Sequence, residues 1–224
     1  MRTLGTAALV ATLTTLAGCG SAGSPETSAP EECTGKGRIV ARADLDGDGK
    51  DAPVRLTAQG SGACAHRLLG DAGMSADLEG LDLAARPTRV VHLGGHHGDL
   101  LLVSSEPHPR GGAQPHLFGR GGPSGVREIT VDGQPLVPFV ATDGGAPPMT
   151  ATCTDKGEIA VDTAKAHEPP GIVLAWDVTQ TTYAIRGGVA TRTGSRLVAV
   201  AAADPTLRKN RPDLFDGRLF ASCS

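Results

Sequence analysis

Apolar residues along this chain alternate with polar ones over short runs, and turn-forming residues separate the runs. Arg38–Ala43 is followed by an Asp/Gly stretch and then by Val54-Arg55-Leu56-Thr57. That segment has the period of two that marks a half-buried strand, not the longer period of a helix. The order of segment, tight turn and apolar strand recurs three times. Arg89–Leu93 leads through Gly98-Asp99 to Leu100-Leu101-Leu102-Val103, and Met149–Cys153 leads through Gly157-Glu158 to Ile159-Ala160-Val161. Tyr183–Thr191 leads through Gly194-Ser195-Arg196 to Leu197-Val198-Ala199-Val200. His66–Leu69, His116–Gly119, Ile172–Trp176 and Phe215–Ser222 are placed to add third strands. Successive turns lie about 40 to 60 residues apart, the spacing of propeller blades, and a lone strand-turn-strand needs neighbours to bury its face. The pattern predicts an all-β fold, a small or incomplete β-propeller-like array of antiparallel blades. The alternative is a β-sandwich carrying one metal-stiffened hairpin.

Helical signals are scarce. Ser75–Ala85 is the one short candidate, with Asp77, Glu79 and Asp82 on an exposed side. Gly111–Gly125, with its Gly-Gly pairs around Pro115 and Pro123, reads as loop apart from the short strand-like piece at His116–Gly119. Gly144–Pro148 and Glu168–Gly171 read as turns, and Asp204–Pro212 as a polar excursion before a last strand. Trp176, Tyr183 and Phe139 are expected in the core.

The first turn is the chemically distinctive one. Asp44-Leu45-Asp46-Gly47-Asp48-Gly49-Lys50-Asp51 sets three carboxylates at alternate positions, with a fourth acid just beyond. Carboxylate oxygens suit a hard cation, and calcium loops present them from positions 1, 3 and 5. A glycine at position 6, here Gly49, permits the sharp turn that aims the carbonyl of position 7, here Lys50. Position 12 is Arg55 and the flanks are strand-like, so the stretch is not an EF-hand. The other reading is a solvated Asp/Gly turn, since these residues favour turns for backbone reasons alone.

This octapeptide is similar to the calcium loop of FG-GAP/VCBS repeats, the blade units of integrin-like β-propellers. The resemblance covers about twenty residues of the 224 and implies one calcium-bound hairpin within a four-stranded blade. It implies side-chain ligands from Asp44, Asp46 and Asp48 and a carbonyl from Lys50. The family places a further acid at position 9, which is Ala52 here, so Asp51, one residue early, is its substitute. The later turns lack the carboxylates, and a single site is expected. Rings of that family close with more blades than this chain can hold.

The amino-terminal segment predicts export. Arg2 is the only early charge, Leu4–Ala17 is uncharged and mostly apolar, and the run is too short to span a bilayer. Leu16-Ala17-Gly18-Cys19 resembles a bacterial lipobox. That likeness implies a signal peptide over residues 1–18, cleavage before Cys19 and a diacylglycerol thioether on its sulfur. Residues 19–32, rich in Gly, Ser, Pro and Glu, read as a flexible tether, and 33–224 as a β-rich extracytoplasmic domain. The membrane, reached through this lipid, is the first partner expected.

With Cys19 set aside, Cys33, Cys64, Cys153 and Cys223 remain. An even number in an exported chain predicts two disulfides, for which three connectivities exist. Proximity in sequence favours Cys33–Cys64, bracketing the acidic loop, and Cys153–Cys223. No C-x-x-C spacing points to zinc. The formal charge is −3 with scattered bases, and aromatics are few, so no nucleic-acid footprint is present.

His92, His96 and His97, with Asp99, His108 and His116 nearby, raise the question of a transition-metal or catalytic site. No HExxH or finger spacing is present, and adjacent strand residues such as His96 and His97 point to opposite faces. There is no G-x-S-x-G elbow and no phosphate loop. The expectation is a lipid-anchored module on the outer face of the cell membrane that binds or regulates a protein partner without catalysis. One version is an accessory to envelope-stress signalling, since the layout and composition resemble those of CseA-type actinobacterial lipoproteins. The alternatives are a hydrolase using the 92–116 segment and a structural surface lipoprotein.

Overall fold

The computed structural model describes residues 31–57, 62–71, 73–78, 89–95, 98–104, 114–122, 125–137, 147–167 and 175–223. The architecture is all-β, as the alternation predicts. The first sheet is an antiparallel meander of β1 (Arg38–Ala43), β2 (Ala52–Leu56), β3 (Arg67–Leu69) and β4 (Ser75–Asp77). The second repeats the design with β5 (Arg89–Val91), β6 (Leu100–Ser104), β7 (Pro115–Arg120) and β8 (Val126–Glu128). The third is larger. It comprises β9 (Thr130–Val131), β10 (Gln134–Pro135), β11 (Met149–Cys153), β12 (Ile159–Ala166), β13 (Ala175–Arg186) and β14 (Val189–Ala203) in the order β10-β9-β14-β13-β12-β11.

The run Leu100-Leu101-Leu102-Val103 explains how the sheets stack. Successive strand residues face opposite sides, so an unbroken apolar run must be covered on both. Leu101 and Val103, with Phe118 on β7, pack against Val54, Leu68 and Met74 of the first sheet. Leu100 and Leu102, with Leu117, pack against Met149, Ile159, Val161 and Ile185 of the third. Each such leucine buried stabilises the fold by about 1.5–3 kcal/mol. The second sheet is thus the middle layer, and face-to-face stacking of four-stranded meanders is common to a run of propeller blades and to a sandwich.

A third cluster lies on the outer face of the third sheet, where α1 (Asp204–Asn210) with Leu207, and the 3-10 turn Pro212–Leu214 with Leu214, cover Ala164, Trp176 and Val178. Asp204 accepts from Trp176 Nε1 at 2.7 Å and from Arg208 Nε at 2.9 Å. The Arg208 guanidinium lies 4.1 Å over the Phe215 ring, which meets Trp176 edge-on.

Several local expectations are corrected. Ser75–Asp77 is strand β4, because it pairs with Arg67–Leu69 and buries Ser75 and Ala76. The remainder of the predicted 75–85 helix lies outside the described residues. The supposed turn at Gly194-Ser195-Arg196 is continuous strand paired to Gln180–Thr182, and the chain reverses at Gly187-Gly188, both with positive φ. Consequently Ala175–Arg186 is one strand, where two separate segments were expected. Pro115–Arg120, inside the predicted 111–125 loop, is a fully paired strand, in line with the piece read at His116–Gly119. Asp204–Asn210 is helical, with Pro205 in its first turn.

The carboxyl-terminal segment is not a strand either. Phe220 has a φ of 56° and Gly217 one of 68°, so the backbone turns repeatedly. It still stitches two sheets together: the Phe220 amide donates to Ala151 O at 2.6 Å on the outer edge of β11, and the His92 amide donates to Cys223 O at 3.1 Å. Both disulfides are those favoured by proximity, Cys33–Cys64 and Cys153–Cys223. Trp176 and Tyr183 are core residues, while Phe139 lies outside the described residues.

Candidate functional site

The acidic loop joins β1 to β2, and its second residue points inward. Leu45 is buried in the core between the first two sheets, which turns its neighbours Asp44 and Asp46 outward. Gly47 and Gly49 have φ of 75° and 83°, a region where a Cβ is strained, so the chain can curl around the first carboxylate. Asp44 Oδ1 accepts from the amides of Gly47 at 2.8 Å and Asp48 at 3.0 Å, and its Oδ2 from Gly49 at 2.9 Å. Partial burial works to raise the Asp44 pKa. The Gly49 amide, the hydrogen-bonding Asp46 carboxyl and the amides of Gly47 and Asp48 outweigh it and hold the group below the ordinary aspartate value.

The second sheet clasps this loop from behind. Asp44 N donates to Asp99 Oδ2 at 2.8 Å, and Asp99 N donates to the Asp44 carbonyl at 2.6 Å. Arg120, at the end of β7, donates from Nη1 to the Asp46 carbonyl at 2.5 Å. Gly98 lies so close that an added Cβ would stand 3.0 Å from the Asp44 carbonyl oxygen. None of these contacts follows from the octapeptide. Asp99 is legible in the sequence only as half of the Gly98-Asp99 turn and as a neighbour of the histidines, and Arg120 carries no local signal.

Asp44, Asp46 and Asp48 each offer a carboxylate oxygen, and these oxygens lie within 4.8 Å of one another. An all-oxygen, all-anionic donor set of this kind fits a hard divalent cation and no soft metal. Asp51 lies outside that group, and its carbonyl accepts from Arg42 Nη2 at 3.1 Å. The Lys50 amide donates to Asp48 Oδ1 at 2.8 Å, and its ammonium stands 3.5 Å from Asp48 Oδ2 on the exposed side. The other such group among the described residues is Glu32, Cys33 and Cys64, where both sulfurs are consumed by a disulfide.

The described histidines do not converge. His92 Nδ1 is 2.6 Å from Asp99 Oδ1, with the imidazole 56% exposed, whereas His116 is buried and pairs with Glu128 Oε1 at 2.7 Å. Each ring has its own carboxylate on its own part of the second sheet. His96, His97 and His108 lie outside the described residues, as do Cys19 and the whole of the predicted signal peptide and tether. No described helix is long and apolar enough to cross a membrane. Compared with protein-family models, curated proteins and solved structures, the chain matches none.

Proposed function

We propose that this chain is a non-catalytic binding or regulatory module, held at the outer face of the cell membrane by lipid on Cys19 and stiffened by one calcium ion. Asp44, Asp46 and Asp48 hold the ion, and calcium supplies positive charge that relieves the repulsion among them. The observation that supports this reading is the position of the loop. Its carboxylates face outward while its backbone is clasped by Asp99 and Arg120, so an ion there stiffens a junction between two sheets. A rigid scaffold suits recognition of a protein partner, in one version a component of envelope-stress signalling.

The alternative, a hydrolase working through the 92–116 segment, draws on one observation: the half-exposed His92 imidazole is oriented by the Asp99 carboxylate, as general bases are. Deletion of the chain, complemented by wild type or by His92→Ala, separates the two. The module reading expects altered expression of an envelope-stress regulon, restored by both forms. A turnover lost in His92→Ala with an unchanged melting temperature overturns it. Cys19→Ala is expected to release the protein from the membrane fraction, and a variant that stays bound overturns the anchor.

A further inference from the structure

β14 carries a glycine that its own backbone does not require. Gly194 sits inside the strand, opposite Thr182, and its φ lies outside the left-handed region. Glycine in a strand interior weakens the strand and often marks a bulge or the close approach of another group. The bulge is next to it. Pairing steps from Thr182↔Gly194 to Tyr183↔Arg192, which leaves Thr193 as the extra residue. Bulges re-aim side chains beside functional sites, and here Thr193 Oγ1 donates to Thr182 Oγ1 at 3.0 Å. A Cβ on Gly194 would stand 3.1 Å from that same Thr182 oxygen.

Over Gly194 and Thr182 lies a groove of about 560 Å³, within the size range of small-ligand sites. It is charged with both signs. Arg196 stands at one end, and Asp155, Lys156 and Glu158 of the β11–β12 turn stand at the other. Glu158 lies four residues before Asp162, which the ladder places in line with Gln180 and Arg196. The two ends are therefore about 14 Å apart along the strand. Gln180 Oε1 fixes the Arg196 guanidinium through Nε at 3.1 Å and Nη2 at 2.8 Å, so the fork formed by Nη1 and Nη2 faces away from it. Asp162 is buried and taken by Arg211 Nη2 at 2.7 Å. Among the described residues, Arg196, Lys156, Asp155 and Glu158 form no ion pair.

We propose that this groove binds a short peptide with free ends, its carboxylate on the second fork of Arg196 and its ammonium on Asp155 and Glu158. The inference rests on the binding-module reading and adds a small ligand to it. A ligand of one sign meets like charge at one end of the groove, and an uncharged one desolvates both ends without pairing them. A single amino acid is too short. An extended peptide rises about 3.4 Å per residue, so roughly four residues match the span. The hydroxyls of Thr182 and Thr193 lie between the ends, as hydrogen-bonding partners for its amides.

The test is isothermal titration of the full chain, purified in detergent, with tetraalanine bearing free ends, its carboxyl-amidated form and its amino-acetylated form. The free peptide is expected to bind saturably, and each capped form about tenfold or more weaker. Arg196→Gln is expected to make the free and amidated peptides equal and to leave the acetylation penalty in place, with melting unchanged because the side chain is exposed. Asp155→Asn with Glu158→Gln is expected to do the converse. Gly194→Val, which suits a strand, is expected to fill the floor of the groove and abolish binding in a protein that still melts cooperatively. No saturable binding, capped forms that bind as tightly as the free peptide, or an amidation penalty that survives Arg196→Gln overturns the proposal. So does undiminished binding to Gly194→Val. Mass spectrometry of the recovered peptide keeps the two readings apart. Binding followed by hydrolysis removes the non-catalytic reading and leaves the groove its ligand, whereas absent binding removes the groove assignment alone.

Discussion

Asp44 and Asp99 exchange backbone and side-chain hydrogen bonds across two sheets. The Asp44 amide reaches the Asp99 carboxylate at 2.8 Å, and the Asp99 amide reaches the Asp44 carbonyl at 2.6 Å. The first residue of the candidate cation loop is thereby tied to the turn that precedes β6. The Asp99 carboxylate is mostly buried and also meets His92 Nδ1 through its second oxygen.

Asp99→Ala is expected to destabilise the fold by about 1–3 kcal/mol, because it strips a partly buried amide of its charged acceptor. His92→Ala should cost less than about 1 kcal/mol, since the imidazole is largely solvated. Urea unfolding of both variants checks the order. A His92 effect equal to that of Asp99 would mean that the His92–Asp99 side-chain contact, and not the backbone clasp, is what matters.

Calcium at about 10 mM is expected to raise stability by about 1.4–2.7 kcal/mol if affinity lies at the 10⁻⁴–10⁻³ M typical of extracellular modules. Asp46→Ala, which removes one of three gathered carboxylates, should abolish the gain. Magnesium should do less, because it gives up its water reluctantly. Differential scanning calorimetry with and without EDTA decides the matter, and a chelator-indifferent melt rules the ion out.

Gly157, in the β11–β12 turn, has a φ of 71°, and a Cβ there would sit 1.8 Å from the Gly94 carbonyl oxygen. Backbone meets backbone at this point, so no side-chain rotation gives relief. Gly157→Ala is expected to cost about 1–3 kcal/mol through overpacking and left-handed strain. Gly133→Ala is the control, with a similar φ and no atom within 4 Å. Equal melting temperatures for the two would show that the close approach carries no energetic weight.

The Asp204 carboxyl is held below its ordinary value of 3.8, chiefly by the Trp176 indole N–H, with Arg208 adding to the effect against partial burial. A depressed folded-state pKa stabilises the protein in full above the unfolded value and loses that contribution as pH falls through the folded one. Stability should therefore decline from about pH 4 downward, with α1 loosening from the sheet. Asp204→Asn should flatten that part of the profile and lower neutral-pH stability by about 1 kcal/mol. Trp176 fluorescence during acid titration reads the change directly, and an unaltered profile in Asp204→Asn would assign the acid sensitivity elsewhere.

Much of the site was legible in the octapeptide. Alternation of Asp44, Leu45 and Asp46 across a strand end already requires one apolar side chain inward and two carboxylates outward, and Gly47 and Gly49 mark the left-handed turns. The clasp by Asp99 and Arg120 was not legible, because both partners lie 55 or more positions away along the chain and carry no mark of what they meet. The hairpin at Gly187-Gly188 lies about seven residues before the turn expected at Gly194-Ser195-Arg196, for a related reason. Gly194-Ser195-Arg196 has turn composition, but a ladder to Gln180–Thr182 outweighs local preference.

Period-two patterning, the spacing of turns and the even set of cysteines left beside Cys19 were enough to establish strands, sheets and two disulfides, since each depends on neighbours or on a simple count. Which face of each strand is covered and what grips the acidic loop depend on contacts between distant segments. Such contacts form only when hydrophobic burial brings the layers together, and a linear pattern records which residues want cover without recording what covers them.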